Sequence, residues 1–72
     1  MNKKLTNREK QVLEYILKGY SNKEIAQELF ISQDTAKAHV SSILYKTNTQ
    51  DRLKLILKLL DKNVEELINT LK

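Results

Sequence analysis

The run SNKEIAQELFISQDTAKAHVSSILYK, residues Ser21 to Lys46, decides the fold. Ser21 is placed to cap a helix, and Glu24 three residues later completes a capping box. Ile25, Ala26 and Leu29 give an apolar stripe at helical spacing. Phe30 and Ile31 cross a very short turn, and Ser32 offers a second N-cap. Ala36, Val40, Ile43 and Leu44 then recur at i, i+4, i+7 and i+8. Two short amphipathic helices with almost nothing between them predict a helix-turn-helix, at about Asn22–Leu29 and Gln33–Thr47. Small Ala26 suits the place where two such helices touch.

Working outward, Thr6 to Lys18 is predicted as a preceding helix, with Thr6 and Glu9 as its capping box. Its stripe is Val12, Leu13, Ile16 and Leu17, and Gly19 is placed to end it in a left-handed conformation. Asn48 is placed to end the second helix of the pair in the same way. Thr49 is the expected cap of a fourth helix over Arg52–Leu60, with Asp51 in its first turn. That helix carries two stripes. Leu53, Ile56, Leu57 and Leu60 form the expected inward one, and Leu55 and Leu59 the expected dimer contact. A last short helix is expected at Asn63–Leu71, with Glu65 and Glu66 serving its dipole.

The 72 residues allow one small domain, taken as 1–72 with a core at 5–60, a helix-turn-helix at 22–47 and an extra C-terminal helix at 63–71. The fold class expected is all-α. It is a small four- to five-helix bundle containing a helix-turn-helix, with a C-terminal helix or helix pair for dimerisation. The chain has no Cys, so neither a disulfide nor a thiolate metal site supports it, which suits a reducing cytoplasm. No apolar run is long enough to span a bilayer, and Met1–Leu5 shows no signal-peptide pattern. The net charge of +4 and pI near 9.4 fit a polyanion partner, or simply a well-solvated surface.

Catalysis finds no foothold. There is one His, no Gly-rich phosphate loop, no metal-spaced cluster and no acid pair, so no enzyme, cofactor or metal is expected. The outward letters of the Gln33–Thr47 helix say more: Gln33, Asp34, Lys37, Ala38, Ser41, Ser42 and Tyr45. Such a face, short and polar with one long cation, can enter a major groove, Ser41 and Ser42 reaching either a base edge or a phosphate. Without the motif around it, the same composition reads first as an ordinary solvated helix face. From Gln33 to Arg52 three cations stand against two carboxylates, so Lys3, Lys4, Arg8, Lys23 and Lys54 would have to add charge. The lone His39 either meets a phosphate or packs halfway against the first helix.

In Leu5-Thr6-x-Arg8-Glu9, Val12-Leu13, Gly19, Ser21-Asn22-Lys23-Glu24-Ile25-Ala26, Leu29, Ile31-Ser32, Thr35-x-Lys37-x-His39-Val40, Ile43-Leu44, Lys46 and Arg52, the chain resembles the LuxR/FixJ/NarL-type DNA-binding domain of bacterial transcription regulators. The resemblance spans about Leu5 to Leu60 and extends to short, spore-germination-regulator-like members. It implies a four-helix domain whose third helix reads the major groove and whose fourth forms the dimer. It puts Lys37, Ala38 and Ser41 at base-facing positions, joined by Gln33 from the outward face. It puts Asn22, Lys23, Thr35 and Lys46 where backbone contacts are usual, joined by Ser42 from the outward face. Ala36 stands where Val is usual and Ser41 where a cation is common. Thr47-Asn48-Thr49 replaces an apolar-Gly-apolar turn, and Leu55 replaces Ala.

The expected function is therefore that of a sequence-specific, homodimeric regulator of transcription on double-stranded DNA. It would be cytoplasmic and nucleoid-associated when bound, with RNA polymerase as a further partner and no membrane. A sigma-factor-like promoter-reading domain resembles the same pattern, although His39-Val40 and the Leu-rich fourth helix favour the regulator. The alternative from another class is a dimerising interaction module, an antiactivator using Leu55 and Leu59 with DNA binding lost.

Overall fold

The computed structural model describes residues 4–60, which form helices joined by short connections, with no strand among them. Three helices, α1 (Asn7–Leu17), α2 (Asn22–Leu29) and α3 (Gln33–Lys46), are followed by α4, residues 52–60. The helix expected at 63–71 lies outside the described residues.

Each start is built from a local side chain. The Thr6 hydroxyl accepts from the Glu9 N–H at 3.1 Å, and the Glu9 carboxylate accepts from the Thr6 N–H at 2.8 Å. Ser21 and Glu24 repeat the device on α2. Ser32 accepts from the Thr35 N–H at 3.0 Å to open α3. These bonds satisfy N–H groups that the helix itself leaves unpaired. At α4 the cap differs from the expected Thr49. Asp51 accepts from the Lys54 N–H at 2.9 Å, while Thr49 is drawn into a 2.8 Å hydroxyl contact with Thr47.

The ends of α1 and α3 share one design. Gly19 (φ 87°) follows α1, the Gly19 N–H reaches the Ile16 carbonyl, and the Tyr20 N–H reaches Tyr15. Asn48 (φ 54°) follows α3, with its N–H on Tyr45 and that of Thr49 on Leu44. Both are Schellman closures around a left-handed residue. The Tyr15 and Tyr20 rings, 5.1 Å apart, supply the apolar contact that goes with the first. Between α2 and α3 the left-handed position falls on Phe30 (φ 56°, ψ 44°), and the Ile31 N–H returns to the Ala26 carbonyl. A bulky L-residue there costs about 1–2 kcal/mol, and nothing in the sequence pattern announced it.

α3 packs against both α1 and α2. Val12 and Ile16 of α1, Ile25 and Ala26 of α2, Ala36, Val40 and Ile43 of α3, and Leu55 of α4 form one buried core. Burying each of the larger side chains stabilises by about 1.5–3 kcal/mol. Leu55 corrects the expected assignment of the α4 stripes. It is fully buried within the single chain and Leu59 is half-buried, while Leu53, Leu57 and Leu60 stand exposed. The reason is the helix's phase. Arg52 is tied to the body of the domain, and residues at i+3, i+4 and i+7 from it, namely Leu55, Ile56 and Leu59, share its face.

Candidate nucleic-acid interface

α3 is divided cleanly. Ala36, Val40 and Ile43 are buried, and Gln33, Lys37, Ala38 and Ser41 are exposed. The four residues expected to face bases therefore share the open side of one helix. None is longer than a glutamine except Lys37, so the helix backbone can approach a groove floor closely. Thr35 is also exposed. Its hydroxyl accepts from the Ser32 hydroxyl at 2.8 Å, leaving its own O–H to be donated outward. His39 is half-buried at the edge of this face.

Ser42 and Lys46, expected as backbone contacts, turn instead toward Glu9. The Ser42 hydroxyl donates to Glu9 Oε2 at 2.5 Å, and Lys46 Nζ donates to Oε1 at 2.8 Å. Glu9 is only 4% exposed, yet all its oxygens are engaged: Thr6 N–H, Ser42 and Lys46 converge on it. Lys46, then Ser42, then the Thr6 backbone hold its carboxyl at a pKa of about 2, against a smaller opposing effect of burial. One side chain thus caps α1 and anchors the C-terminal half of α3. The capping role was legible at a separation of three residues. The anchor joins positions 33 and 37 residues apart, and no local pattern encodes that.

The start of α2 is the second edge of the surface. Lys23 is exposed there, and Asn22 is half-buried because Arg52 reaches it from α4, Nη1 to Oδ1 at 2.6 Å. Arg52 Nη2 also donates to the Tyr20 carbonyl. Burial lowers the Arg52 pKa from its ordinary value, although a guanidinium stays protonated at neutral pH. Lys58 of α4 donates to the Thr47 carbonyl at 3.2 Å, placing a cation at the negative end of α3.

Three further surface features lie apart from the Gln33, Lys37, Ala38 and Ser41 face. Leu53, Leu57 and Leu60, 64%, 55% and 42% exposed, recur at i, i+4 and i+7 on α4. Phe30 is 94% exposed at the α2–α3 turn. A shallow open pocket is lined by Leu44, Tyr45, Asn48, Thr49 and Gln50. Among the described residues there is no group of His, Cys, Asp and Glu able to hold a metal, and no helix long and apolar enough to cross a membrane.

A short polar-faced helix presented across a capped partner by a turn of a few residues defines a helix-turn-helix module. The chain belongs to the luxR family of bacterial regulatory proteins, whose sequence model matches residues 3–59. It is 58% identical over 48 residues to the Bacillus subtilis transcriptional regulatory protein YhcZ, covering 67% of this chain and 22% of that protein. It is 46% identical over 54 residues to the Brevibacillus brevis transcriptional regulatory protein DegU, covering 75% and 23%. To the Staphylococcus aureus response regulator protein VraR it is 49% identical over 53 residues, covering 74% and 25%. The chain thus spans about a quarter of the length of these curated relatives.

Proposed function

We propose that this chain binds double-stranded DNA sequence-specifically as a homodimer and regulates transcription, α3 lying in the major groove. The observation that carries the reading is the division of α3, with Gln33, Lys37, Ala38 and Ser41 open on one side and Ala36, Val40 and Ile43 locked in the core on the other. Lys37 donates to guanine acceptors, Ala38 meets a thymine methyl, and Gln33 and Ser41 complete the edge contacts. Asn22, Lys23 and Thr35 hold phosphates alongside, while Ser42 and Lys46 act through Glu9. Relatives named as transcriptional and response regulators support the same role. Its place of action is then the bacterial cytoplasm, on the nucleoid, with RNA polymerase as the machinery it addresses.

Pairing uses the exposed Leu53, Leu57 and Leu60 row of α4, which sets two reading helices on two half-sites. Selection of bound duplexes from a random pool, at stated salt, tests the whole reading. A shared sequence element, preferably a two-fold repeat, is expected. Retention without any preference refutes sequence specificity. The dimerising antiactivator is the second reading, favoured by the neutralisation of Lys46 by Glu9, which thins the positive charge beside α3. It predicts a stable dimer with no duplex affinity even at low salt.

A further inference from the structure

Arg52 meets neutral acceptors only. Its guanidinium donates to Asn22 Oδ1 and to the Tyr20 carbonyl, and the ion pair found among the described residues lies elsewhere, between Glu9 and Lys46. A guanidinium has five N–H donors and no acceptor. It therefore settles the orientation of the Asn22 amide, whose oxygen must face Arg52. The amide nitrogen, with its two donors, is not the end that Arg52 engages, and it belongs to the first residue of α2, next to exposed Lys23. Without such a partner an asparagine amide presents either end to an approaching group.

We propose that Arg52 is a positioning residue for duplex binding: it orients Asn22 as a hydrogen-bond donor to a phosphate oxygen, and so makes the phosphate grip at the start of α2 depend on how α4 is seated. This rests on the reading that the chain binds duplex DNA through α2 and α3. Phosphate oxygens accept and never donate, so an Asn22 amide turned the other way would oppose a phosphate with its oxygen. Arg52 itself is half-buried and spends a donor of each terminal nitrogen on Asn22 and Tyr20. Because the same helix bears Leu53, Leu57 and Leu60, a partner copy that seats α4 firmly also holds the Asn22 amide in its donating orientation.

The test is a double-mutant cycle on Arg52→Met and Asn22→Ala, read by fluorescence anisotropy with a labelled duplex taken from the selection. Circular dichroism melts fix a temperature at which every variant is folded. Each single substitution is expected to weaken binding about tenfold, the worth of one charge-assisted hydrogen bond. The double variant should bind no more weakly than either single. A third variant, Asn22→Asp, keeps a partner for Arg52 and suits a helix start, so it should melt no lower than the parent. It offers the duplex an acceptor in place of a donor, and its binding should fall at least about tenfold. Additive losses in the double variant would show Arg52 acting by a contact of its own and overturn the proposal. So would an Arg52→Met affinity equal to the parent's, or an Asn22→Asp variant that binds normally. Should Arg52→Met fail to fold, Arg52→Lys, which keeps the charge but not the planar fork that spans Asn22 and Tyr20, replaces it in the cycle with the same expected and overturning outcomes. A parent chain without affinity for any duplex at low salt sinks the DNA reading itself, an outcome distinct from all of these.

Discussion

Replacing Glu9 by Gln isolates a single charge in the core. The shape is kept: a glutamine oxygen can still accept from Thr6 N–H and Lys46, and the Ser42 hydroxyl can turn to accept from the amide. What is lost is the negative charge opposite Lys46. Glu9 titrates near 2 rather than the usual 4.5, which corresponds to about 3 kcal/mol of stability. The Lys46 side chain is 23% exposed, so water screens part of this, and about 2 kcal/mol is expected for Glu9→Gln at pH 7. In a 72-residue domain whose whole stability is about 4–11 kcal/mol, that is a large share. Glu9→Ala, which also strips Ser42, Lys46 and the Thr6 cap of their acceptor, should cost about 3–5 kcal/mol. The assay is urea denaturation followed by circular dichroism at pH values from 7 down to 2. The folded-state pKa is depressed, so the Glu9 contribution is complete above 4.5 and fades as pH falls toward 2. The gap between parent and Glu9→Gln should close over that window. A gap below about 0.5 kcal/mol at pH 7, within the range of ordinary surface changes, would refute the reasoning, as would a gap that does not vary with pH.

Other expectations concern separate surfaces. Leu53→Glu with Leu57→Glu should leave helicity intact while shifting sedimentation from dimer to monomer, whereas Leu55→Glu should abolish the folded signal because it buries an unpaired charge. Lys37→Ala should weaken binding to the selected duplex by about 1–3 kcal/mol and relax preference at one base pair, and an unchanged gel-shift affinity would remove Lys37 from the contacts. Phe30→Asn, at an exposed left-handed position, should raise the urea midpoint by about 0.5–1 kcal/mol equivalent, and a fall would show that the ring makes a contact worth more than the strain.

What could be read from the letters was short in range. The capping pairs Thr6/Glu9 and Ser21/Glu24, the Ser32 cap, and left-handed Gly19 and Asn48 are all decided within a few residues, and each stands where its chemistry put it. The open face of α3 was legible because one helical turn repeats its pattern. The rotation of α4 was not. Its Leu residues fit either of two stripes, and the choice rests on Arg52 meeting Tyr20 and Asn22, some thirty residues away. The same distance hid the Glu9 anchor, and with it the fact that Ser42 and Lys46 face inward. Phe30 broke a local preference that favours Gly or Asn, so no propensity could have placed it.

The split of α3 into a locked side and an open side has a practical corollary. Positions 33, 37, 38 and 41 are lettering on a chassis that does not lean on them. On the proposed reading, a library confined to those four sites would vary the address a molecule answers to while sparing its scaffold, so retargeting by selection can proceed without first buttressing the frame.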